Sequence, residues 1–232
     1  MMATPPPSSS SGLFSLPISL RLQIYTALLV LPHPLFIFQD GETSRPEAFA
    51  PDKPRRWLAL LSASRQLRDE AGPVAYASNH FVFVDATPRQ PALVRSFLAA
   101  VGPVNAGRLS HLTINFPVVQ RTSSASSDGG SEVVLRDDGQ TSLALLRESC
   151  PGLKTLEAQV HGENYRNLVA PEHQDAQLLE QGLLRINAHV TAMPSLEAVI
   201  VRIYQGDPAP GVVEAMRDLG WRVLRGDKDR WE

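Results

Sequence analysis

The sequence predicts an α/β protein, with α+β as the alternative class, and three observations carry that expectation. A strand pattern of the form Leu-x-x-Leu-x-apolar occurs as Leu109-x-x-Leu112-x-Ile114, as Leu153-x-x-Leu156-x-Ala158-x-Val160 and, with valine at the second position, as Leu196-x-x-Val199-x-Val201-x-Ile203. Each copy follows apolar residues at helical spacing: Val94, Phe97, Leu98 and Val101; then Leu143, Leu146 and Cys150; then Leu179, Leu183, Ile186 and Val190. The three strands start at 109, 153 and 196, 44 and 43 residues apart. A helix, a turn and a strand in steady alternation predict strands side by side in one sheet with helices on its flank.

Taken from the start, residues 1–12 end in Pro-Pro-Pro-Ser-Ser-Ser-Ser-Gly, which offers nothing to bury and predicts a disordered tail. A helix follows with two apolar stripes, Ile18, Leu22, Tyr25 and Leu29 on one line and Leu20, Ile24, Leu28 and Leu31 on another, with Ser19, Gln23 and Thr26 between them. Two apolar stripes call for two apolar neighbours: both are buried inside one domain, or one is left for a partner. Residues 39–56 hold Pro46, Pro51 and Pro54 among charged residues and read as a loop. Trp57, Leu60, Leu61, Ser64, Leu67 and Ala71 keep one face over a second helix, which Gly72-Pro73 ends or kinks. Phe81 to Val84, bounded by Asn79 and Asp85, reads as a strand.

Beyond residue 85 the helix and strand units begin. Pro91 and Pro210 fall where a first-turn proline belongs, and residues 120–132, rich in Ser, Gly and Asp, read as a disordered loop. A shorter last unit runs from Val212 to Leu219 and then Trp221 to Leu224. The domain expectation is therefore a tail over 1–12, an N-terminal helical part over 13–84 with an insertion at 39–56, and an α/β part over 85–232.

The stretches Leu16-Pro17-Ile18-Ser19-Leu20-Arg21-Leu22-Gln23-Ile24-Tyr25, Trp57 to Ala71, and Tyr76-Ala77-Ser78-Asn79-His80-Phe81-Val82-Phe83 together resemble a split F-box. Their order is similar to that of large fungal F-box-like families of uncharacterised function, over residues 16–84. The insertion at 39–56 sets the two helices farther apart than an ordinary F-box does. The resemblance implies a protein-protein interaction module whose Leu16, Pro17, Ile18, Leu22, Tyr25 and Leu29 face the adaptor subunit of a cullin-type ubiquitin ligase. The rest of the chain would then recruit an unknown protein client. The layout of the later units is similar to the leucine-rich-repeat arrays that follow many F-boxes, although the period is longer and the repeat asparagine occurs only as Asn115. The alternative is an ordinary α/β domain whose even spacing is coincidental.

Charge and composition narrow the function classes. With 22 basic and 24 acidic residues the chain has no electrostatic footprint for nucleic acid or an anionic membrane. The longest apolar stretch is cut by Pro32, His33 and Pro34, and the opening residues lack the basic start and apolar core of a signal peptide, so a cytoplasmic or nuclear protein is expected. Cys150 is the single cysteine, which excludes an intramolecular disulfide and fits a small buried hydrophobe.

No nucleophile elbow, phosphate loop, dinucleotide fingerprint or zincin motif occurs. His161-Gly162-Glu163 has the H-x-E shape of zinc deaminases but no downstream cysteine pair. The six histidines stand singly, and Asp137-Asp138 and Asp69-Glu70, as adjacent acids, point in different directions on a helix. The expectation is a non-enzymatic interaction protein with no cofactor, metal or catalytic residues. Two alternatives remain: an F-box-like scaffold without a ubiquitin link, and an enzyme of unknown chemistry using the strand ends of the α/β half.

Overall fold

A computed structural model describes residues 12–41, 44–123, 131–160, 168, 173–204, 206 and 208–226. The predicted tail over 1–12 therefore lies outside the described residues apart from Gly12. The chain is mixed α/β, as expected. Among the described residues the helices are α1 (Ile18–Leu29), α2 (Ala59–Ala63), α3 (Arg65–Ala77), α4 (Gln90–Val101), α5 (Pro103–Ala106), α6 (Asp137–Ser149), α7 (His173–Thr191) and α8 (Pro210–Asp218). Its strands are β1 (Leu35–Phe38), β2 (Glu47–Phe49), β3 (His80–Phe83), β4 (His111–Asn115), β5 (Val119–Ser123), β6 (Ser131–Leu135), β7 (Thr155–Val160), β8 (Ala198–Ile203) and β9 (Arg222–Arg225).

Seven strands form one sheet in the order β2-β1-β3-β4-β7-β8-β9, parallel throughout except for the antiparallel edge pair β1 and β2. From β1 onward the spatial order is the chain order, so each crossover places the next strand beside the last. The helices touch in the same sequence, α4 on α6, α6 on α7 and α7 on α8.

Leu112, Leu156 and Val199 hold the same place in the strand pattern, and they are register partners; so are Ile114, Ala158 and Val201. All of these but Val199, which packs against it half-buried, enter the apolar core shared with the helices together with their neighbours Phe81 and Phe83, and there Phe97 of α4 meets Phe81 at 5.6 Å and Phe83 edge-on at 5.3 Å between ring centroids. Alternation sends the intervening residues to the other face of the sheet.

The N-terminal helices depart from their sequence reading in one respect. Residues 57–71 are not one helix: Ser64 is extended (φ −158°, ψ 163°) and its hydroxyl accepts from the Leu67 N–H, capping α3. Trp57, Leu61, Leu67 and Ala71 are all buried, so the apolar spacing runs on across the break. Pro73 lies inside α3, which continues to Ala77. Two expected loops also carry strands. Residues 39–56 contain β2, and residues 120–132 supply parts of the β5–β6 hairpin, with 124–130 outside the described residues. The hairpin packs on α7 through Val119, whose side chain approaches Gly182 so closely that a Cβ there would lie 2.4 Å from it.

Among the described residues no helix is long and apolar enough to cross a membrane.

Candidate functional site

Two features of the surface and sheet are built from unusual residues, and the first is α1. Pro17 precedes its first residue, and the helix is held to α3 by one carboxylate. Arg21 donates from Nε to Glu70 Oε2 and from Nη2 to Oε1, both at 2.8 Å, and its Nη1 donates to the Leu16 carbonyl at 2.6 Å. The Tyr25 hydroxyl donates to Glu70 Oε2 at 2.8 Å, and Gln66 Nε2 to Oε1 at 2.8 Å. A bidentate guanidinium and two further donors favour the ionised form. The hydrogen bond from Arg21, then that from Gln66, hold the Glu70 carboxyl well below its usual range, at about 2. Burial, and after it the Glu70 hydrogen bond, push the Tyr25 phenol above its ordinary value.

The other end of α1 is tied by Asn79, which is 3% exposed. Its Nδ2 donates to the Leu29 and Ala75 carbonyls, each at 2.8 Å, while its Oδ1 accepts from the Leu31 N–H at 2.9 Å. Trp57 Nε1 donates to the same Leu29 carbonyl at 3.0 Å. One amide thus satisfies backbone groups that the ends of α1 and α3 leave without helical partners.

These ties sort the sequence-derived partner residues. Tyr25 and Leu29 are fully covered, by α3 and the core, and in this conformation their side chains are closed to a partner. Leu16 is half-buried, and Pro17, Ile18 and Leu22 are exposed. Exposure is not confined to that stripe: Leu20 and Leu28, residues of the other stripe, and Phe14 just before the helix are exposed as well, and across these and Ile18 and Leu22 the exposure runs from 39% at Leu22 to 54% at Leu28. Periodicity found both stripes. Which residues of the two stripes are covered depends on where α3 lies, and no local pattern encodes that.

The second feature is the sheet face opposite the helices. His80 and His111 are register partners on β3 and β4, and their rings stack with centroids 3.6 Å apart and planes at 6°. His80 Nε2 lies 2.5 Å from the Thr113 hydroxyl. Thr113 pairs in register with Glu157 of β7, and Glu157 receives Arg202 of β8 from Nε at 2.8 Å and from Nη2 at 3.4 Å. Thr113, Asn115, Glu157 and Arg202 are all buried, the ion pair at side-chain exposures of 1% and 3%. Val82 and Ile200 are buried on this face and stand outside the apolar core cluster, which confirms two distinct sides to the sheet.

Sequence reading treated the six histidines as solitary. The parallel register brings two of them into contact, with a donor atom of Glu157 within 4.8 Å of theirs. The signal was present in that His80 and His111 each open a strand, but only strand order makes those positions neighbours. Elsewhere His33 reaches Asp52 at 3.2 Å, and His161-Gly162-Glu163 lies outside the described residues. Asp137 and Asp138 occupy the first turn of α6, where Asp138 pairs with Arg136 at 2.7 Å. Cys150 is buried, and desolvation pushes its thiol up to about 12.

Compared with protein-family models, with curated proteins and with solved structures, the chain matches none.

Proposed function

We propose that this chain is a non-enzymatic interaction protein that docks through α1 on the adaptor subunit of a cullin-type ubiquitin ligase, leaving the α/β part to recruit a protein client. The observation that supports this reading is the apolar outer surface of a firmly anchored helix. Phe14, Ile18, Leu20, Leu22 and Leu28 stand open to solvent around α1, while Glu70 and Asn79 tie the helix down from beneath. Several large apolar side chains exposed on one helix suit a contact surface. An anchored helix also loses little entropy on docking. The F-box-like order of residues 16–84 supplies the partner.

The test is binding of the purified adaptor by the full chain beside a Leu22→Asp, Leu28→Asp variant whose circular dichroism and melting match the parent. Saturable binding that the variant loses supports the reading. Failure of a folded parent to bind, or binding unchanged in the variant, overturns it. A second reading, an F-box-like scaffold with no ubiquitin link, draws on the burial of Tyr25 and Leu29, which removes two of the six adaptor-facing residues that the resemblance implies.

A further inference from the structure

We propose that His80, His111 and Glu157 form a binding site for a divalent transition-metal ion of the Zn²⁺ class on the sheet face away from the helices. The three residues sit on three consecutive strands, β3, β4 and β7, and each offers one ligand atom within 4.8 Å of the others. Their placement follows from register alone. His80 pairs with His111, and Glu157 pairs with Thr113, two residues along β4 from His111 and therefore on the same face.

Two imidazoles and one carboxylate are a donor set that borderline divalent ions favour over the hard ions Mg²⁺ and Ca²⁺, which prefer oxygen throughout. An ion with bonds of about 2.0–2.1 Å holds its donors about 3.3 Å apart in a tetrahedron, so the cluster closes by rotation of side chains rather than movement of strands. The imidazole planes, now parallel, would tilt apart as their lone pairs turn to one point. With three protein ligands the fourth position falls to water.

The surroundings suit ligands that must be held in place. The Thr113 hydroxyl lies 2.5 Å from His80 Nε2, and with that contact kept His80 would bind an ion through Nδ1. Arg202 engages both carboxylate oxygens of Glu157 and fixes its plane. The Arg202 charge opposes a nearby cation, so the affinity is lower than that of an otherwise equal site with a neutral partner on the carboxylate. The site is independent of α1, and adaptor binding neither requires nor excludes it.

The experiment is calorimetric titration of the full chain, stripped by a chelator and dialysed, with zinc chloride, followed by Co²⁺ absorption spectroscopy. One equivalent bound with submicromolar affinity is expected. His80→Ala and His111→Ala should each weaken binding by well over 100-fold, beyond the about 10–100-fold that removal of an outer-shell partner brings, while His33→Ala leaves it unchanged. Absence of saturable binding to the folded parent overturns the proposal, as does binding that survives both histidine variants. Should those variants fail to fold, the Co²⁺ complex of the unaltered protein decides. Intense tetrahedral d–d bands at one equivalent support the site, and a weak octahedral spectrum, or none, refutes it.

Discussion

Replacing Asn79 by alanine should loosen the attachment of α1 and destabilise the whole chain. The side chain makes three hydrogen bonds in a buried setting: two donated, to the Leu29 and Ala75 carbonyls, and one accepted from the Leu31 N–H. Leu29 keeps a partner after the change, because Trp57 Nε1 also donates to its carbonyl. The Leu31 N–H and the Ala75 carbonyl lose the partner that Asn79 supplied. Each buried polar group deprived of its partner costs about 1–3 kcal/mol, so the expected loss is about 2–6 kcal/mol, a large share of the ~5–15 kcal/mol that ordinarily separates folded from unfolded.

Urea unfolding followed by circular dichroism measures the loss as a lower midpoint at unchanged slope. Amide exchange separates local from global opening, and α1 should lose protection before β4 and β7 do. Asn79→Asp retains the acceptor for Leu31 and loses both donors, so it should be no better tolerated than alanine. A loss below about 1 kcal/mol, or α1 exchange unchanged, would refute the argument that one amide joins the two helix ends.

The remaining predictions concern pH, close packing and the thiol. Glu70 titrates at about 2 when folded against an ordinary 4.5, so its contribution is fully present above pH 4.5 and is lost as pH falls from there towards 2. Glu70→Gln should flatten the stability profile across that window, and an unchanged acid limb would show that other carboxylates govern it. Gly152→Ala should cost about 1–3 kcal/mol, since its Cβ would stand 2.5 Å from the Gly107 carbonyl oxygen and only backbone can yield; a melting temperature equal to the parent's contradicts this. Gly182→Ala should displace Val119 and loosen the hairpin from α7, visible as faster amide exchange in β5 and β6, whereas unaltered exchange would mean that the hairpin is held elsewhere. Cys150, buried and with its thiol raised to about 12, should react with a disulfide reagent only on unfolding; rapid labelling of the native protein would show that the site opens.

Much of the α/β part was legible because its signals are local. Val94, Phe97 and Leu98 of α4, Leu143 and Leu146 of α6, and Leu183 and Ile186 of α7 were placed by helical spacing, and all are buried. The strand pattern was legible for the same reason, and its three copies run in mutual register. The break at Ser64 was hidden because α2 and α3 bury the same side, so apolar spacing continues through a residue that is not helical. β2 and the β5–β6 hairpin were hidden by composition: three prolines around one and a serine-rich connection within the other read as loop, while the strands themselves are short and pair with neighbours.

The candidate sites divide along the same line. Both stripes of α1 are plain in the sequence, but α3 covers Tyr25 and Leu29 and leaves Leu20 and Leu28 open, a choice made by Glu70 and Asn79 from 45 and 50 residues away. His80 and His111 lie 31 positions apart, and Glu157 is farther still; each is unremarkable where it stands.

By itself the sequence determined the α/β class, the apolar faces of the main helices and the inward side of three central strands, because period and propensity act over a few residues. Tertiary structure decided the strand order, the covered half of α1 and the meeting of His80, His111 and Glu157, because pairing in a parallel sheet joins residues that only the crossovers bring together.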